Sequence, residues 1–174
     1  MSIDKVYTYM STGLDGLDKV IQGVVPGDNI IWQVDTIEEY IPFINPFYSE
    51  AVRNKVPIIY FRFAEHLALL PEENVAKTYT LNPDEGFESL ISTIFDVIEE
   101  YGYGTYYIFD CLSDLVVEWY SDRMLANFFM LTCPYLYDYK TVAYFGILRN
   151  VHMPITINAI HNTAQIVFDV FRNK

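Results

Sequence analysis

The chain has 174 residues, of which 52% are hydrophobic and 17% aromatic, with 15 tyrosines and 12 phenylalanines. That is enough for one domain, residues 1–174, with a substantial core, and the surplus aromatic surface points to a partner subunit or domain. A formal charge of −12 disfavours nucleic acid and anionic membranes as partners, and neither a run of about 18 apolar residues nor signal-peptide order is present.

In chain order, a short helix fits Leu14 to Ile21, ended by Gly23 and the Pro26-Gly27 turn. Asn29 to Val34 is an apolar run of strand length. Ile37 to Asn54 is helical by period, with Pro42 and Pro46 expected to shift its start or kink it. Pro57 to Phe63 reads as another apolar strand and Val75 to Leu81 as a weaker alternating one. Asn82, Pro83 and Glu85 look like a capping box opening a helix. Its apolar face would carry Phe87, Leu90, Ile91, Ile94, Phe95, Ile98 and Tyr101, and Gly102 and Gly104 would end it. Thr105 to Asp110 reads as a central buried strand terminating in a carboxylate. Asp114 to Thr132 looks helical with a break at Pro134, Thr141 to Leu148 is a strand, Ile155 to Ala164 a short helix, and Gln165 to Phe171 a closing strand. Alternation of strand and helix predicts an α/β, three-layer fold with a mostly parallel sheet.

Cys111 and Cys133, each in apolar surroundings, read as buried free thiols of a reducing cytoplasmic compartment. His66, His152 and His161 are scattered without metal-ligand spacing, and the linear order suggests no Ser–His–Asp arrangement. No metal site is expected.

The order Ser11-Thr12-Gly13-Leu14-Asp15-Gly16-Leu17-Asp18, then Pro26-Gly27-Asp28, then a strand, resembles the entry to a RecA-type ATPase domain of the KaiC branch. Pro57 to Glu65 resembles that family's second strand, and Tyr106 to Leu115 its Walker B strand with the following turn. The segments 26–35, 60–64, 109–115 and Asn127-Phe128-Phe129 are similar, more narrowly, to the N-terminal region of phosphoenolpyruvate synthase-like or pyruvate phosphate dikinase-like proteins. The resemblance implies a RecA-like architecture. It also implies a catalytic phosphotransferase region outside this chain.

Where the family has its phosphate-binding loop, this chain reads Asp35-Thr36-Ile37-Glu38-Glu39-Tyr40-Ile41-Pro42, without glycine, lysine or arginine. Aligned without gaps, Tyr40 stands at the family's lysine and Ile41 at its magnesium-binding hydroxyl. Phosphates need free N–H groups and positive charge at a helix start. Here Thr36 and Glu39 are expected to form a capping box instead, with Asp35, Glu38 and Glu39 complementing the helix dipole. No cofactor is therefore expected, ATP with Mg²⁺ being the alternative that the resemblance leaves.

The candidate cleft residues are Asp35, Thr36, Glu65, Asp110 and Ser113, with Asp110 at a strand end where α/β folds place ligands. Glu65 matches one of two adjacent acidic residues that the family uses to activate water; Ala64 takes the other position. Candidate interface residues are Trp119, Tyr120, Phe128, Phe129, Tyr135, Tyr137 and Arg149, because aromatic and arginine side chains dominate interface energetics. Three functions are compatible with the sequence: a non-hydrolysing domain serving assembly, regulation or partner docking, working as a homo-oligomer or with a phosphoenolpyruvate synthase-like region; a component of an ATP-dependent phosphotransferase of the pyruvate/phosphoenolpyruvate class; and a small-ligand sensor using the former nucleotide cleft.

Overall fold

A computed structural model describes residues 8–71 and 77–172. Among them, six strands form one parallel sheet in the order β3-β2-β4-β5-β1-β6. The strands are β1 (Asn29–Val34), β2 (Ile58–Arg62), β3 (Lys77–Thr80), β4 (Tyr106–Cys111), β5 (Val142–Leu148) and β6 (Ile166–Asp169). The helices are α1 (Asp15–Ile21), α2 (Ile41–Arg53), α3 (Phe87–Tyr101), α4 (Leu112–Trp119), α5 (Asp122–Asp138) and α6 (Pro154–Thr163). The expected three-layer α/β fold is present.

Alternation along the central strands divides the core in two. Ile30, Trp32, Tyr60, Ile108 and Tyr144 face α2, packing on Ile44, Phe47 and Ala51. Ile31, Phe61, Phe109 and Phe145 face the other way, against Leu90 and Ile94 of α3, Leu125, Phe128 and Phe129 of α5 and Ile160 of α6. Both faces of a parallel sheet must be covered, so its strands read as continuous apolar runs. The aromatic surplus is consumed largely here: Phe47 stacks on Tyr144 at 3.9 Å between ring centroids and on Tyr106 at 4.8 Å, and Phe109 on Phe145 at 4.4 Å.

Several expected boundaries move for local reasons. The segment expected as one helix from Asp114 to Thr132 is two, because Tyr120 turns left-handed (φ 51°) and Ser121 caps α5 by accepting the Met124 N–H. Pro134 does not break α5, which continues to Asp138. The hydrogen bond it removes would fall on the carbonyl of exposed Met130, where solvent tolerates the loss. Asn82 caps a 3-10 turn (Pro83–Glu85) rather than the long helix, and Gly86 (φ 97°) redirects the chain into α3. Val75 and Ala76 of the expected third strand lie outside the described residues; Lys77–Thr80 is strand.

The entry motif folds on itself. Asp18 accepts hydrogen bonds from the Ser11 hydroxyl (2.5 Å), the Thr12 N–H (2.9 Å) and the Thr12 hydroxyl (2.7 Å). A side chain on Gly13 (φ 84°) would meet the Pro46 carbonyl oxygen at 2.3 Å, so glycine lets this loop lie directly on α2.

Candidate functional site

The chain leaves β1 for α2 on one face and leaves β5 for α6 on the other, and β1 and β5 are neighbours. Their carboxyl ends therefore bound the crevice where open α/β sheets receive ligands. Tyr40 fills it. This residue caps α2, is fully buried, and lies so close over β5 that a side chain on Gly146 would meet its ring at 2.9 Å. Burial drives the Tyr40 hydroxyl well above its ordinary pKa, reinforced by Tyr144, Tyr60, Asp110 and Cys111. Among the described residues the hydroxyl has no hydrogen-bond partner. Shape complementarity holds this ring in place, at the expense of one desolvated polar atom.

The backbone donors at the crevice mouth are also occupied. Thr36 and Glu39 form the expected capping box at the 3-10 turn Ile37–Glu39. The Glu39 carboxylate accepts the Asp35 N–H at 2.9 Å and the Thr36 N–H at 3.4 Å, and pairs with Arg172 at 3.0 Å. Glu38 accepts from its own N–H and from the Thr36 hydroxyl, which hold its carboxyl below the ordinary value. The N–H groups of Glu39 and Tyr40 bond to the carbonyls of Thr36 and Ile37. Four amides between residues 35 and 40 are thus committed within the chain, two of them to the Glu39 carboxylate.

The other candidate residues have separate tasks. Asp110 is fully buried at the end of β4. It accepts the Tyr60 hydroxyl through one oxygen and the Phe63 (2.8 Å) and Ala64 (3.0 Å) N–H groups through the other. Tyr60 in turn accepts the Leu69 N–H at 3.2 Å. The carboxylate therefore clamps the segment after β2 against β4. Burial raises its pKa, opposed by the Tyr60 hydroxyl, the two amides and His66, whose Nε2 lies 3.7 Å away. Asp35 pairs with Arg149, which also bonds Asp169 (2.6 Å) and the Val170 carbonyl (2.5 Å) and lies 4.1 Å from the centre of the Phe171 ring. Within this chain Arg149 ties the end of β6 to the ends of β1 and β5. Glu65 is exposed and lines a cleft of about 350 Å³ at the ends of β2 and β3, together with Arg62, Thr80, Asp84 and Glu118. Glu118 shares a hydrogen bond with Asp84, which raises its pKa.

Ser113 belongs to a constellation that the linear order hides. Its hydroxyl is 2.7 Å from Nε2 of His152, and Nδ1 of His152 is 2.7 Å from Asp122. This corrects the expectation that no Ser–His–Asp arrangement is present. The three residues come from α4, the loop after β5 and the start of α5, 39 and 30 positions apart, so no spacing rule reveals them. Their surroundings are structural. Ser113 is 4% exposed, the His152 side chain is completely buried, and the serine oxygen already accepts the Leu148 N–H at 2.9 Å. A nucleophile needs room for its electrophile, and this hydroxyl faces protein. Asp122 completes the linkage by accepting the Met153 N–H at 2.5 Å. Burial pushes the Asp122 carboxyl up, but that amide and His152 outweigh it and hold the pKa below the ordinary value.

Of the candidate interface residues, Phe128 and Phe129 are core. Trp119 packs on Phe87 and Phe128 and donates to the Pro83 carbonyl at 3.3 Å; Tyr135 stacks on Phe95. Tyr120 (92% exposed) and Tyr137 (46%) remain on the surface. Among the described residues, no group of three or more His, Cys, Asp or Glu is placed to hold a metal ion. Nor is any helix there long and apolar enough to cross a membrane. In comparisons with known proteins, no protein-family model matches this chain and no curated protein matches it significantly.

Proposed function

We propose that this chain is a non-hydrolysing, RecA/KaiC-like α/β domain whose work is assembly or partner docking in a reducing cytoplasm, alongside a phosphoenolpyruvate synthase-like catalytic region. The observation that carries this reading is Tyr40. It occupies the crevice between β1 and β5, while Glu39 takes up amides that would cradle a phosphate and Glu38 adds a second carboxylate beside them. A triphosphate would have to displace a buried ring and enter beside carboxylates, and charges of like sign a few ångströms apart repel by about 1–4 kcal/mol even with solvent screening. Calorimetric titration with Mg–ATP and Mg–ADP tests the reading. It calls for no saturable heat, and binding tighter than about 0.1 mM, or roughly 5.5 kcal/mol, overturns it.

A second reading, a small-ligand sensor, is favoured by the cleft at the ends of β2 and β3. Its volume of about 350 Å³ lies within the usual range for small-molecule sites, about 300–1,000 Å³. It combines Arg62 with Glu65, Asp84 and Glu118, so a small zwitterion would meet both signs of charge. A thermal-shift panel of amino acids and amines checks it: stabilisation abolished by Glu118→Gln supports the sensor, and a flat panel removes it.

A further inference from the structure

The groove between α5 and α6 belongs to none of the sites above. It encloses about 440 Å³ and is lined by Arg123, Ala126, Met153, Ile155, Thr156 and Ala159. Ala126 and Thr156 are buried and form a floor of small side chains, while Met153 (56% exposed) and Ile155 (75%) stand at the rim. Helical spacing produces this shape, since residues three apart on each helix share a face: 123 and 126 on α5, 156 and 159 on α6. The Ser113–His152–Asp122 linkage then fixes the two helix starts together, because Asp122 begins α5 and holds the Met153 N–H just before α6. A preorganised groove loses little conformational entropy on binding.

Charge selects the occupant. The chain has five arginines. Arg53 pairs with Glu50, Arg149 with Asp35 and Asp169, and Arg172 with Glu39, while Arg62 donates to the His66 carbonyl. Arg123 alone has no such partner among the described residues, and it is exposed beside apolar surface on a chain of charge −12. We infer that this groove receives an amphipathic helix of a partner protein, with aliphatic side chains entering over Ala126 and Ala159 and a carboxylate meeting Arg123. Helix-in-groove recognition supplies the chemistry, and burying the exposed rim supplies the driving force. A second copy of this chain is the poorer fit, since two molecules of charge −12 repel. The inference rests on the docking function proposed above and names the partner surface.

The test is selection of random peptides of about 16 residues, displayed on phage, against the whole chain. The expected consensus carries aliphatic residues at helical spacing with an acidic residue alongside. Arg123→Glu should weaken the selected peptide at least about tenfold and restore binding when the peptide's acid is changed to lysine. Ala159→Trp, which fills the groove, should abolish binding while circular dichroism stays unchanged. Peptides without that pattern, or equal binding to both variants, overturn the inference. So does sedimentation showing a wild-type dimer that Ala159→Trp dissociates. Mg–ATP calorimetry on the same protein separates the two proposals: silence with ATP and with peptides removes only the groove assignment, whereas ATP binding removes the docking reading itself.

Discussion

Tyr40 is large and wholly buried, and its hydroxyl, like the polar tips of Trp32, Tyr107 and Tyr144, has no hydrogen-bond partner among the described residues. Removing that oxygen removes a desolvation penalty, so Tyr40→Phe should leave stability unchanged or raise it by up to about 1 kcal/mol. Tyr40→Ala should cost about 3–5 kcal/mol through the cavity it leaves. Urea denaturation of the two variants checks both, and a large loss in Tyr40→Phe would mean that the hydroxyl has a partner. Asp122 makes the opposite case, because its oxygens are engaged as a carboxylate. Asp122→Asn should cost about 1–3 kcal/mol at pH 7. Its folded pKa is depressed, so the ionised form's contribution is complete above the unfolded value near 3.9. It is lost as pH falls through the folded value. The gap between wild type and variant should therefore close below about pH 4, which thermal melts across pH 3 to 7 would show. A gap independent of pH would contradict the assignment.

Among the elements, the strands were legible because a parallel sheet covered on both faces needs uninterrupted apolar runs. Residues 29–34, 105–110 and 141–148 supply them. The capping box at Thr36 and Glu39 was legible for the same kind of reason, being a local pattern whose partners lie three positions apart. What stayed hidden was non-local. Nothing near Tyr40 in the sequence shows that its ring lies over Gly146, and nothing near Ser113 shows that His152 and Asp122 converge on it. The split between α4 and α5 escaped because Tyr120, an aromatic residue in an apolar stretch, adopts a left-handed conformation that its type does not advertise. The Gly146 contact yields its own expectation. Gly146→Ala should destabilise β5 by about 1–3 kcal/mol through overpacking, and Tyr40→Leu in the same chain should recover most of it. Additive losses in the double variant, read from denaturation curves, would argue against direct contact.

At the scale of the whole molecule, the carboxyl edge of the sheet is held shut from β4 to β6 by side chains that all belong to this chain, while the cleft at the ends of β2 and β3 stays open. Tyr40 fills the crevice between β1 and β5, Asp110 ties the segment after β2 to β4, and Arg149 with Glu39 and Arg172 secures the end of β6. Arg149→Ala should speed amide exchange in residues 166–169 and cost about 2 kcal/mol, while leaving exchange in β2 and β4 unaltered. Uniform acceleration across the sheet would mean that the clamp is not local. The surfaces that this closure leaves for function are the cleft at the ends of β2 and β3 and the groove between α5 and α6. The most direct measurement of this closure is an amide NMR titration of the ¹⁵N-labelled protein with Mg–ATP, following Asp35, Thr36, Glu39, Tyr40 and Gly146. A crevice filled from within gives no saturable shifts at those residues into the millimolar range. Saturable shifts clustered there, with the Tyr40 ring displaced, would contradict the account.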